Sequence, residues 1–574
     1  MTRLWEAVWK GQRGTPAWAK LLVLALPALA FLLVLFYIPL GRVFVEALRK
    51  SGEGDAAPAL ATLRDPYFWQ LLRFTTVQAL YSAVGSLIIG FPLGYILANR
   101  TFPGKQLVQA TTLVPFVFPS VAVALGFLVF FGHNGWLNRV LFALFGLRVQ
   151  ILYSLWGIVL AHSFYNAPVV ARTVHAAWSR LDPAYEEAAR SLGAPLCTRF
   201  RTVTLPLIVP GIVTGTLLAF IFSFFSFSIV LALGGSRFAT VEVAIYTQVR
   251  VLLDYATGSA LAMWQTVSSL LAAFLYLGVE RRFITGLPLS RPRAVPPLFR
   301  WSPLNCALWL YLALLLVFYT GPMLAVVIDS FQGPDGRWSL AAYQQVLFGG
   351  YDRRLTDTPG QALRNSVTFA AGSLAFALPL GTLFAYALAH MGRAARGWGA
   401  RWLVLALETF ALAPLMVSSV AFGFAALRAY RTGIMASLEI TPQLAIVLAH
   451  GVLALPFIVR SLRPAFEQLD RRYVEAARSL GASRSEAFFD VELPLALAAV
   501  LVGAALGFSL SVTEMSATIM LARPGLNTLP ISLYQHLAAR NFSAASAMAV
   551  LMVLFTAAAL VGMDRLARRW LGPR

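Results

Sequence analysis

Carboxylates carry most of the chemistry this chain offers, and they sit in two settings. Glu187 opens the octapeptide Glu-Ala-Ala-Arg-Ser-Leu-Gly-Ala at 187–194, and Glu475 opens an identical octapeptide at 475–482. Glu514 and Glu408 instead lie inside long apolar runs. A carboxylate at mid-bilayer costs about 2.5–3.5 kcal/mol on insertion scales, so it should face protein or a water-filled cavity. There it would give a pathway a negative bias suited to a cation; the alternative is that Glu514 bonds an adjacent backbone. Other chemistries find no support. The six histidines and the two cysteines, Cys197 and Cys306, form no CxxC, HxxxH or HExxH spacing, so no metal site or disulfide framework is expected. Gly104-Lys105-Gln106 lacks the upstream glycine and following Ser/Thr of a nucleotide-binding loop. No nucleophile–base constellation stands out. The chain reads as a non-enzyme without a cofactor.

Composition supplies the setting. The sequence is 59% hydrophobic and 12% charged, with a mean hydropathy of +0.71. A soluble domain carries about 25% charged residues, so this is an all-α polytopic membrane protein. The net charge of +21 would suggest nucleic acid in a soluble protein. Here the basic residues cluster in alternate loops, which is the positive-inside pattern and argues against that partner.

Runs of membrane-spanning length fall near 21–41, 74–98, 109–131, 151–171, 205–232 and 261–279, then near 307–328, 366–389, 403–427, 443–459, 493–520 and 544–562. That makes about 12 transmembrane helices. With the N-terminus inside, the loops at 99–108, 172–204 and 390–402 are cytoplasmic and basic, as are the linker and the tail. The first run is too long for the apolar core of a signal peptide. The organisation expected is a cytoplasmic segment 1–20, a six-helix domain 21–279, a basic linker 280–306, a second six-helix domain 307–563 and a cytoplasmic tail 564–574. Matching residues recur at an offset of 288: His162 and His450, Pro168 and Pro456, Ser223 and Ser511, Thr240 and Thr528, Tyr246 and Tyr534. Because six spans precede the repeat, the halves are parallel, with a pathway expected between them.

The repeated octapeptide sits in a cytoplasmic loop of each half. Asp182-Pro183 is an N-cap with proline at N1, and Gly193 is the C-terminal glycine; Asp470 and Gly481 bracket the second copy. Tyr185, Ala188, Ala189 and Leu192 fall on one helical face, as do Tyr473, Ala476, Ala477 and Leu480. A single such helix could simply pack on its own protein. Two at identical spacing, in a chain without its own nucleotide site, are better explained as knobs that dock into a partner.

Glu-Ala-Ala, a glycine four residues after the second alanine, and a later Leu-Pro (Leu205-Pro206, Leu493-Pro494) resemble the EAA loop of permease subunits of bacterial binding-protein-dependent ABC importers. The resemblance covers nearly the whole chain. It implies an inner-membrane permease whose loops contact two ABC ATPase subunits through Tyr185, Glu187, Ala188, Ala189 and Gly193, and through Tyr473, Glu475, Ala476, Ala477 and Gly481. It also implies an external solute-binding protein. Fused double permeases of this kind are similar to those for thiamine and ferric iron. Arg100–Gly104, Val159–Pro168, Ser226–Gly235 and Thr240–Tyr246 resemble the thiamine member, whereas Glu514–Met520 and Thr528-Leu529-Pro530 are equally similar to iron and polyamine permeases. Glu514, its counterpart Ser226, and Glu408 are the candidate pathway residues. The rival class is an ion-coupled secondary transporter, which also doubles six helices but gives no reason for a repeated docking helix.

Overall fold

The computed structural model describes residues 17–49, 56–112, 118–235, 237–283, 296–299, 302–333, 336–348, 357–394, 397–431 and 439–571. Most of the N-terminal segment 1–20, much of the linker 280–306 and the end of the tail lie outside the described residues, as does Pro115. Among the described residues the chain is helical, and its β-structure amounts to two isolated bridges, Thr101 with Pro297 and Gln332 with Trp338.

The first half contains α1 (Leu21–Leu48), α2 (Pro66–Asn99), α3 (Lys105–Thr111), α4 (Ser120–Phe131), α5 (Leu155–Ser179), α6 (Pro183–Ser191), α7 (Leu205–Phe224), α8 (Ser228–Leu233), α9 (Val241–Tyr246) and α10 (Tyr255–Phe283). The second half repeats the order: α11 (Pro303–Asp329), α12 (Pro359–Ala394), α13 (Trp398–Leu412), α14 (Ser419–Arg431), α15 (Pro442–Gln468), α16 (Arg471–Ser479), α17 (Leu497–Thr513), α18 (Ser516–Leu521), α19 (Leu529–Ala538) and α20 (Phe542–Leu571). Ten helical stretches among the described residues are long and apolar enough to cross a membrane, or 11 if the bent pair Arg484–Leu495 and Leu497–Thr513 is one span. The remaining span of the repeat is α5, 25 residues long. His162, Asn166 and Arg172 lower its apolarity, and protein rather than lipid surrounds His162 and Asn166, which are buried.

Four runs expected as single spans are broken. In the third span of each half a proline sits at the break. Pro119 caps α4 in an extended conformation, and Pro414 sits in a 3-10 turn between α13 and α14, since a proline ring clashes with the carbonyl four residues back. The fifth spans break without a proline: α7 stops at Phe224 before Ser226, and α17 stops at Thr513, where Glu514 turns extended with ψ 117°.

Within each half the second and fourth spans pack closely over small residues, as membrane helices without a hydrophobic driving force must. A Cβ on Gly94 of α2 would lie 2.8 Å from the Ala171 carbonyl oxygen of α5, and one on the matching Gly381 of α12 would lie 2.7 Å from Ile458 of α15. The third spans join the halves. α14 packs on α1 and α10 of the first half, and α4 packs on α11 and α20 of the second. This exchange places the broken fifth spans at the seam.

Candidate functional site

The two loop helices are built alike. The Asp182 carboxylate accepts the Ala184 N–H at 3.0 Å, and the Asp470 carboxylate accepts the Arg472 N–H at 3.0 Å. Each helix closes on a left-handed glycine, Gly193 with φ +79° and Gly481 with φ +95°. There the next N–H returns to the helix: Ala194 to the Ala189 carbonyl and Ala482 to the Ala477 carbonyl, each at 3.1 Å. Beyond each loop a π-helical turn, Phe200–Thr204 or Ala487–Glu492, leads into Leu-Pro. The wider turn accommodates the proline ring, which a regular helix would force against a carbonyl.

The faces of these helices are divided differently from the expected apolar stripe. Tyr185, Ala188 and Leu192, like Tyr473, Ala476 and Leu480, are exposed, and the two leucines are 88% and 90% exposed. Ala189 and Ala477 are half-buried and turn towards the protein. Glu187 and Glu475 are exposed and, among the described residues, form no ion pair with Arg190 or Arg478. The inner faces are tied down by different chemistry. The Thr204 hydroxyl donates to Glu186 at 2.8 Å. In the second half valine replaces that acid (Val474) and an acid replaces the threonine (Glu492, which meets His390 at 3.2 Å). Around α16 the charge is also more basic, with Arg393, Arg471, Arg478 and Arg484 lining one cleft. Burial, together with the neighbouring Arg478 charge, pulls the Arg484 guanidinium below its ordinary value.

The structure separates the candidate pathway residues. Ser226 and Glu514 are half-buried at the two matching helix breaks. Glu514 accepts the Ala517 N–H at 2.8 Å, so its carboxylate caps α18. Glu408 on α13 pairs with Arg463 of α15, whose Nε also donates to Glu467 at 2.7 Å. Its charge is therefore met within its own half. His162 and His450 do not make the same bond: His162 meets Ser82 at 3.1 Å, while His450 bridges Ser511 and Thr518 at 2.7 Å each.

Sequence reasoning passed over Glu242. It lies on α9, is 1% exposed, and accepts from Gln265 of α10 at 3.3 Å and from the Ser418 hydroxyl of the other half. A symmetric bond draws its segment inward. The Val241 N–H donates to the Thr75 hydroxyl of α2 at 3.1 Å, and the matching Leu529 N–H donates to Ser366 of α12 at 2.8 Å. A carboxylate inside a segment that repeats at the 288 offset, opposite Pro530, was the available signal.

The family described as "Binding-protein-dependent transport system inner membrane component" matches this chain twice, over residues 90–285 and 377–572, so each match encloses one loop helix and one broken fifth span. The thiamine transport system permease protein ThiP of Brucella suis is 27% identical over 572 residues, covering 94% of this chain and 94% of that protein. The sulfate transport system permease protein CysW of Synechocystis sp. is 36% identical over 199 residues, 35% of this chain and 69% of that protein. Among solved structures, a bacterial ABC transporter involved in the import of the acidic polysaccharide alginate aligns at 21% identity with a TM-score of 0.39, over 49% of this chain and 100% of that chain.

Proposed function

This chain belongs to the family of binding-protein-dependent transport system inner membrane components, and on that premise we propose that it imports thiamine, driven by two ATPase subunits that dock on α6 and α16. As a multi-pass inner-membrane ABC importer permease it forms the substrate route. The observation that carries the coupling role is the pair of outward faces, Tyr185-Ala188-Leu192 and Tyr473-Ala476-Leu480, solvent-exposed at identical positions in both halves. Exposed leucines that add nothing to the fold's own core suit a partner's groove, and the alanines beside them let another backbone approach closely. The capped ends hold each helix rigid, so that a push on it moves the fifth span through the π-turn.

Both termini are placed in the cytoplasm, with α6 and α16 on the same side. Support comes from the basic loops and from the bridge of Thr101 to Pro297, which brings the first basic loop against the linker. A loaded solute-binding protein docks on the opposite side, at the external segments 42–70, 232–260, 329–362 and 521–543. Closure of the ATPase dimer then rotates the halves and opens the seam outward, and hydrolysis resets it. The thiamine assignment rests on similarity along nearly the full chain to thiamine permeases; ferric iron and polyamines are the alternative cargoes.

The test is ATP-dependent uptake in vesicles carrying the permease, its ATPase subunits and its binding protein. Uptake of thiamine is expected, lost in the Glu187→Lys/Glu475→Lys double variant with the membrane helices assembled as before. Uptake driven by a proton or sodium gradient without ATP would overturn the coupling role, and ATP-driven uptake of another solute would overturn the cargo.

A further inference from the structure

We propose that the seam between the halves holds a binding site for a positively charged substrate, built on Glu242 and Glu514 with Gln265 and Ser418 around them. The proposal rests on the import function above and assigns its cargo a charge and a resting place.

Several other carboxylates among the described residues are met by bases of the chain. Glu408 has Arg463, Glu46 has Arg428, and Glu492 has His390. Glu242 and Glu514 differ. Among the described residues neither pairs with a lysine, arginine or histidine; Glu242 holds only the neutral donors Gln265 and Ser418, and Glu514 holds backbone N–H groups at the start of α18. α9, which carries Glu242, and α18, which Glu514 caps, both pack on α14. A second buried acceptor joins them. The Gln265 amide, held against Glu242 by its nitrogen, has an oxygen with no partner. Two acids that no basic side chain among the described residues pairs with, beside an unmatched acceptor, make a place that a cation completes; Arg250, two turns beyond Glu242, donates to the Ala522 carbonyl at 2.9 Å.

Its position suits a route through the protein. Tyr246 lies one helical turn beyond Glu242 on the same face of α9. α9 packs against α14 of the other half, so Glu242 lies at the seam. Phe227, next to Ser226 at the first helix break, packs edge-on against Tyr246 at 5.6 Å. Aromatic rings beside carboxylates favour an organic cation, since ring faces attract positive charge. The repeat mates of the acids, Pro530 and Ser226, are uncharged. The cation is therefore held off the axis, against the face shared by α9, α14 and α18.

The experiment uses the complete importer in proteoliposomes, with thiamine, spermidine, ferric iron and sulfate as separate cargoes. Cation uptake is expected, with Glu242→Gln and Glu514→Gln each lowering the maximal rate about tenfold, the loss of one charge-assisted contact. Glu242→Asp should recover part of the loss, and the ATPase subunits should still copurify. If Glu242→Gln does not assemble, Glu514→Gln, at a half-buried position, carries the test by itself. Wild-type cation uptake in these variants overturns the site and leaves the import function standing. Uptake of sulfate, or of none of the four, overturns the cation assignment together with the thiamine reading.

Discussion

Arg428 of the second half grips Glu46 of the first through a two-pronged contact, Nε to Oε2 and Nη2 to Oε1, each at 2.9 Å. The guanidinium lies 5.0 Å from the centre of the Tyr255 ring, and the Ser259 hydroxyl donates to the same carboxylate at 3.3 Å. The second half has a looser counterpart: Asp329 ends its first span, Ser546 of its last span donates to it at 2.8 Å, and Arg139 of the first half lines the same cleft. At both places an acid of one half and an arginine of the other lie on the seam, and at Glu46 the two pair.

The side chains of Arg428 and Glu46 are 23% and 30% exposed, so solvent screens part of their attraction. A double-mutant cycle with Arg428→Ala and Glu46→Ala should give a coupling of about 1 kcal/mol, read from thermal unfolding in detergent. Arg428→Lys should recover little of it, because an ammonium offers neither the fork nor the flat face over Tyr255. A coupling of zero would mark the contact as incidental.

Leu192 and Leu480 should separate stability from docking. At 88% and 90% exposure, replacing both with serine should change thermal stability by less than about 0.5 kcal/mol. Copurification of the ATPase subunits should nevertheless fall sharply. Retention of the subunits at wild-type levels would contradict the docking role of these faces.

The two repeated histidines should respond unequally. His450→Ala strips partners from both Ser511 and Thr518 and should destabilise the protein by about 2–3 kcal/mol. His162→Ala frees only Ser82 and should cost about half as much. Melting temperatures of the purified variants decide; equal losses would mean that packing rather than bonding sets the effect.

The loop after α16 carries a pH-dependent cap. Glu486 accepts the Ser483 N–H at 2.6 Å while the Ser483 hydroxyl accepts the Glu486 N–H at 3.2 Å. The backbone bond holds the Glu486 carboxyl below its ordinary value of 4.5. A group whose folded value is depressed contributes above its unfolded value and loses that contribution as pH falls through the folded one. Exchange protection of the Ser483 amide, corrected for intrinsic rate, should be constant above about pH 5 and fall below about pH 4. Glu486→Gln should remove that step. A step that survives the substitution would have to come from another carboxyl.

The caps and spans were legible because they depend on local residues. Asp182 and Gly193 mark the ends of α6 whatever surrounds it, and an apolar run of membrane length has few other uses. The outward turn of Leu192 was not legible, since helical periodicity defines a face without saying what lies against it. The breaks at Ser226 and Glu514 were hidden because apolar residues continue on both sides and no proline marks the spot. Glu242 was hidden for a related reason. Its burial depends on the bond from Val241 to Thr75, which joins residues 166 positions apart.

One carboxylate at the second helix break, with serine at the first, has a consequence for how such a protein can be encoded. Were the halves two copies of a single shorter chain, any acid at this break would be present twice, and two like charges would compete for one cargo ion. A covalently joined pair escapes that constraint. Glu514 can be present once, Glu242 can be recruited from the opposite half, and the substrate meets an entrance with a handedness that strict two-fold symmetry forbids.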